Sequence, residues 1–169
     1  MKNPLKVLVI VGLLLGGIFG MAGTFVADPK LRAVFWAIDG LGLIVATAIL
    51  SLKNFRAGND AVAAGFLIYS IGESVMLGGT SQPLEAMVPT FGAGAALWAA
   101  ALLLTGIPPR FAIWVRVVSV IAALVFAITF AEILWGVHVL PTSSPLPGLG
   151  YPFMILAYLG WIWSLVREP

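Results

Sequence analysis

Long charge-free stretches of this chain set the strongest limit on its fold. No charged residue occurs from Val7 to Ala27 or from Ala86 to Pro109. A helix needs about 20 apolar residues to cross roughly 30 Å of hydrocarbon, and each stretch meets that length. The chain has too little polar sequence to cover such segments in water. The pattern therefore predicts membrane-spanning helices.

Composition supports a membrane protein surrounded by the lipid bilayer. Of 169 residues, 61% are hydrophobic and only 9% are charged, and the mean hydropathy is +1.08. Soluble proteins carry about 25% charged residues. The net charge of +2 is not concentrated in a basic run or stripe, so we expect no nucleic-acid partner.

Apolar windows separated by short polar or Pro/Gly-containing connections predict an all-α, polytopic integral membrane protein with six transmembrane helices in one compact bundle. Residues 1–169 form a single transmembrane domain in this interpretation. The predicted spans are about Leu5–Val26, Leu31–Leu52, Ala61–Gly78, Leu84–Thr105, Phe111–Gly136 and Tyr151–Val166.

The first span has a second interpretation as a signal peptide. Lys2 and Lys6 precede its apolar run, and Gly20-Met21-Ala22 is a tolerable cleavage site. Cleavage there would leave five spans. We expect a retained anchor and six spans.

The distribution of Lys and Arg predicts the orientation in the membrane. With both termini in the cytoplasm, only Lys30 and Arg32 lie outside, which agrees with the excess of basic residues in cytoplasmic loops. We therefore expect a multi-pass protein of the inner (plasma) membrane. The basic residues on the cytoplasmic side are Lys2, Lys6, Lys53, Arg56, Arg110 and Arg167.

Charged residues inside spans are the strongest functional signal. Each costs at least about 2.5–3.5 kcal/mol at the bilayer centre. At about 1.5 Å per residue, Asp39, Glu73 and Glu132 lie roughly 12, 8 and 6 Å from the outer ends of their helices. Three helices thus place a carboxylate in the outer half of the membrane, which predicts an acidic ligand or proton site.

Other polar residues extend this predicted site. Glu85 and His138 lie near the same level, and Tyr69 and Ser70 precede Glu73 by about one turn. His138 and Arg116 are candidate charge partners, although Arg116 lies near the cytoplasmic end of its span and can extend to that surface.

Two roles fit the buried carboxylates. Neighbouring carboxyl groups in a medium of low dielectric favour a shared proton or a bound cation, as in a proton relay or a cation carrier. Alternatively, each hydrogen-bonds a nearby hydroxyl or carbonyl group and ties two helices together.

Glycine-rich faces predict close helix packing. The first helix carries two successive GxxxG steps, and the third has glycine every seven residues. Small residues at such spacing let backbones approach, either within the bundle or against a partner protein. The packing glycines are Gly12, Gly16, Gly20, Gly65, Gly72 and Gly79.

Several chemistries find no support in the sequence. The absence of Cys excludes thiolate metal sites and thiol catalysis, and a single histidine makes a histidine-rich metal site impossible within one chain. We predict no metal and no cofactor. No serine lies in a glycine elbow, and only Asp39 among the aspartates lies in a span, so the sequence favours a non-enzymatic protein.

The leading functional prediction is a small inner-membrane protein that binds or transports a small solute or cation, or relays protons, through an outer-half acidic site. The alternative is a non-catalytic accessory subunit that packs its glycine faces against other membrane-protein subunits or a second copy of itself. An enzyme acting on lipid or polyprenyl substrates is a third interpretation.

Overall fold

The computed structural model describes residues 3–167, and the regular structure in this range is helical. Lys2, which contributes to the predicted orientation, lies outside the described residues. The helices are α1 Asn3–Phe25, α2 Pro29–Arg56, α3 Asp60–Gly79, a short 3-10 helix Leu84–Met87, α4 Val88–Gly106, α5 Ile113–Leu134 and α6 Gly150–Arg167.

Local sequence explains where two of these helices begin. The Asp28 side chain accepts a hydrogen bond from the Leu31 N–H (2.8 Å), and Pro29 occupies the first turn, where its missing N–H costs nothing. The fourth predicted span is divided, because Pro89 has no N–H to bond the Glu85 carbonyl group. It consists of the 3-10 helix followed by α4.

Five helical segments of the described chain are long and apolar enough to cross a bilayer, so the fold is that of a multi-pass helical membrane protein. The predicted all-α bundle is confirmed. The 18-residue segment α6 is not among the five. Its membrane crossing stays a prediction.

The helices pack as a closed ring in chain order. Each consecutive pair is in contact, and α1 also contacts α6. We call one end of the bundle the long-loop end, because it carries the connection 135–149 together with connections 26–28 and 80–83. At the opposite end the Lys6 Nζ group donates to the Val166 carbonyl oxygen (3.5 Å), which joins the start of α1 to the end of α6.

The predicted glycine faces contact helices of the same chain. A Cβ atom at Gly12 would lie 2.4 Å from the Gly42 carbonyl oxygen of α2, and one at Gly16 would lie 2.3 Å from Leu43. On α3, a Cβ atom at Gly65 would lie 2.9 Å from Thr105 of α4. Gly20 contacts α2 in the same way, and Gly72 and Gly79 contact α4.

Aromatic side chains fill the centre of the ring. The Trp161 ring meets Phe66 edge-on at 4.8 Å between centroids, and Trp98 lies between Tyr69 (6.3 Å) and Phe126 (5.1 Å). We call these five residues the aromatic core. Trp161 has the sequence position of an interfacial residue, but it is only 1% exposed because α6 turns it inward.

Candidate functional site

A partly open cavity of about 60 Å³ lies between the aromatic core and the long-loop end. Residues from α1, α2, α3, α4 and α6 line it, together with Met87 of the 3-10 helix and Pro141 of the long loop. The Tyr151 hydroxyl group donates to the Pro141 carbonyl oxygen (2.7 Å), which fixes the loop to α6 beside the cavity. The cavity has room for several water molecules at about 10–15 Å³ each.

Asp39 reaches the cavity from the first half of α2. Its carboxyl group lies against the glycine face of α1, where a Cβ atom at Gly20 would come within 2.8 Å of Oδ2. The side chain keeps part of its surface exposed. The glycine spacing of α1 therefore has a second effect beside close packing, since it leaves space for this carboxyl group.

Glu73 reaches the same cavity from α3. The residue is 2% exposed, and its Oε1 atom is buried without a hydrogen-bond partner. Its Oε2 atom lies 4.0 Å from the position of a Cβ atom on Gly40, the residue next to Asp39. Both predicted carboxylates thus line one cavity from adjacent helices.

The charge of this cavity is not balanced by the residues around it. Asp39 and Glu73 are its acidic residues, and no Lys, Arg or His is among the described residues that line it. A buried acceptor without a donor costs about 1–3 kcal/mol, and more when it is charged. The cavity is therefore suited to a cation, a donor of hydrogen bonds or a proton.

Two tyrosine hydroxyl groups lie between the two carboxyl groups of the cavity and the aromatic core. Tyr69 of α3 and Tyr158 of α6 are hydrogen-bonded to each other, and the Tyr69 hydroxyl group also donates to the Met154 sulfur atom (3.1 Å). Beyond them lie the rings of Phe66 and Trp161. None of the described residues that line the cavity belongs to the opposite end of the bundle.

Three of the other predicted site residues lie outside the cavity. Ser70 turns toward α2, where its hydroxyl group donates to the Ile44 carbonyl oxygen (3.4 Å). Glu85 and His138 form an exposed ion pair that links the 3-10 helix to the long loop, with side chains 68% and 57% exposed.

Glu132 and Arg116 of α5 also lie outside it. Glu132 is partly exposed and does not line the cavity. Arg116 donates from Nε to the Gly106 carbonyl oxygen (3.0 Å) and from Nη2 to the Ile107 carbonyl oxygen (2.7 Å). These bonds satisfy carbonyl groups at the end of α4, at the end of the bundle remote from Asp39 and Glu73.

Sequence reasoning missed the aromatic wall of the cavity. Trp36, Trp98, Tyr151 and Tyr158 line it, and the Trp98 Nε1 atom is buried without a hydrogen-bond partner. The spacing of Tyr151, Met154 and Tyr158 was the available signal, since residues three and four apart share a helix face.

The fold and cavity define a class, a multi-pass helical membrane protein with an internal acidic, aromatic-lined cavity. Comparison with known proteins finds no matching family model, curated protein or solved structure.

Proposed function

We propose that this protein binds a small cationic solute in the cavity between Asp39 and Glu73. The observation that carries the proposal is a pair of carboxyl groups in a mostly apolar cavity whose described lining contains no basic side chain. A cation entering it would neutralise charge in a region of low dielectric, where ionic interactions are stronger than in water.

Binding is favoured over proton relay through the bundle. A relay needs a chain of polar groups from one side to the other, whereas none of the described residues that line this cavity belongs to the opposite end of the bundle. Transport of the solute would require the aromatic core to open on its far side, which is a conformational change between two packed states.

The membrane arrangement belongs to the proposal. We propose that α6 is the sixth span, that both termini lie in the cytoplasm and that the protein resides in the inner membrane. At about 1.5 Å per residue, 18 residues extend about 27 Å, close to the hydrocarbon thickness. The cavity would then face the outer side.

A thermal-stability screen tests the function. The purified full chain in detergent is heated with chloride salts of sodium, potassium, ammonium and n-propylammonium at equal ionic strength. We expect one of these cations to raise the Tm by several degrees over the others, because a ligand at 100 times its Kd stabilises by about 2.7 kcal/mol.

The double substitution Asp39→Asn/Glu73→Gln should abolish this rise. Asp60→Asn is the matched control, since Asp60 is exposed at the start of α3, remote from the cavity, and should preserve it. The proposal is wrong if none of the cations stabilises the wild type selectively, or if the double variant is stabilised equally.

A further inference from the structure

The hydrogen-bonding character of the cavity narrows the class of cation. The Glu73 Oε1 atom has no donor, and Asp39 offers a second carboxylate. The Thr24 and Thr80 hydroxyl groups already donate to carbonyl oxygens of Gly20 (3.0 Å) and Leu77 (2.9 Å), which leaves their oxygen atoms as acceptors. Such a cavity favours a ligand with several donors.

The walls of the cavity are aromatic and aliphatic. Trp98 and Tyr158 contribute rings, and Leu43 and Ile155 add aliphatic surface. The Trp36 ring already has the Arg32 guanidinium group 5.9 Å from its centroid. A cation over an aromatic face gains about 0.5–2 kcal/mol, and buried hydrocarbon gains about 25 cal/mol per Å². A hydrated inorganic ion would gain little from the aliphatic part of this lining.

Divalent metal ions fit the cavity poorly. Calcium takes six to eight oxygen ligands, and magnesium requires octahedral geometry. No group of three or more His, Cys, Asp or Glu side chains able to hold a metal ion occurs among residues 3–167. Two carboxylates beside aromatic rings are better suited to an organic cation.

Resting on the proposed function, we infer that the ligand is a primary alkylammonium group with a short apolar tail. Its N–H groups donate to the carboxylates of Asp39 and Glu73, and its tail contacts Trp98 and Ile155. The volume of about 60 Å³ has room for a small ligand, and a three-carbon tail is the probe that we choose. A free amine and the ethanolamine headgroup of a lipid both carry a primary ammonium group.

Equilibrium titration with matched probes tests the inference. The full chain in phosphatidylcholine nanodiscs is titrated with n-propylammonium, 1-propanol, tetramethylammonium and potassium. We expect n-propylammonium to bind at least about tenfold more tightly than each of the others, because only it combines charge, N–H donors and a tail; tenfold corresponds to about 1.4 kcal/mol.

A cavity-filling variant supplies the structural control. A Cβ atom at Gly17 would lie 3.8 Å from its nearest neighbours, so a larger residue can be introduced there without a backbone clash. Because Gly17 lines the cavity, the side chain of Gly17→Leu should fill part of it. Gly78→Leu is the matched control, since a Cβ atom there has no neighbour within 4 Å. Gly17→Leu should lose n-propylammonium binding and Gly78→Leu should keep it.

The outcomes separate the two proposals. If potassium or tetramethylammonium binds as tightly as n-propylammonium and needs both carboxylates, the ammonium inference is wrong and the cation site stands. If no cation binds, both are wrong. Repeating the titration with phosphatidylethanolamine in the nanodiscs distinguishes the two sources. Weaker apparent binding of n-propylammonium would identify the lipid headgroup as the ligand, and unchanged binding would identify a free amine.

Discussion

Glu73 has one carboxylate oxygen that the rest of the protein leaves without a donor. Tyr69, one turn away, is hydrogen-bonded to Tyr158 and donates to Met154, and its hydroxyl group also lies near the Glu73 carboxyl group. The Glu73 Oε1 atom forms no hydrogen bond with the described residues, although the Trp98 indole group of α4 lies near the carboxyl group. The unpartnered Oε1 atom supports the proposal that Glu73 binds a ligand.

The substitution Glu73→Gln tests this distinction. We expect n-propylammonium binding to weaken about tenfold to a hundredfold, the equivalent of one charged hydrogen bond of about 1.5–3 kcal/mol. The Tm without ligand should stay the same or rise, because a buried acidic group is removed and the glutamine side chain keeps one acceptor oxygen. Titration and thermal unfolding of the same preparation measure both quantities. A fall in Tm of several degrees with unchanged binding would support a structural tie.

At the scale of the helix, the α1 glycines have two different roles. Gly12 lies where α1 and α2 backbones touch, whereas Gly17 borders the cavity. Both belong to the same apolar run, so spacing alone does not distinguish them. The atoms that surround each glycine in the folded bundle distinguish the two roles.

Adding one methyl group at each position separates these roles. Gly12→Ala should lower the free energy of unfolding by about 1–3 kcal/mol, since its Cβ atom would lie 2.4 Å from a backbone oxygen that cannot move aside. Gly17→Ala should be neutral or stabilising, because alanine favours the helix and the added atom has ordinary contacts at 3.8 Å. Unfolding in mixed micelles gives both values; equal values would contradict this packing.

The helices were predictable from sequence, and part of the cavity was not. Charge-free windows locate a helix along the chain, and rise per residue gives the depth of Asp39, Glu73 and Glu132. Depth does not specify direction around the helix axis. Glu132 therefore lies outside the cavity although its depth is similar, and the fold alone brings Tyr158 of α6 beside Tyr69 of α3.

At the scale of the whole molecule, most of the described basic residues lie at the end opposite the long loop and most of the described acidic residues lie in the half near it, with Lys30, Arg32 and Asp60 as exceptions. Lys53 and Arg110 belong to the opposite end, whereas Asp39 and Glu73 belong to the half near the long loop. This asymmetry supports the proposed orientation, because basic residues remain preferentially in the cytoplasm.

Single cysteines test the orientation and the sixth span, since the natural chain contains none. Ser144→Cys marks the exposed long loop, Ala57→Cys the opposite end, and Arg167→Cys the end of α6. A membrane-impermeant thiol reagent added to intact cells should label position 144 only. Positions 57 and 167 should react after permeabilisation. Labelling of positions 144 and 167 together in intact cells would show that α6 does not cross.

The location of a bound ligand tests the central claim most directly. Crystals of the wild type are soaked with 3-bromopropylammonium at a concentration that saturates the protein in titration, and the bromine is located by anomalous scattering. We predict one peak within the cavity, beside Asp39 and Glu73, which is lost in the Asp39→Asn/Glu73→Gln variant. A peak only on the protein surface, or an empty cavity at saturating ligand, would contradict a cation site between these two carboxylates.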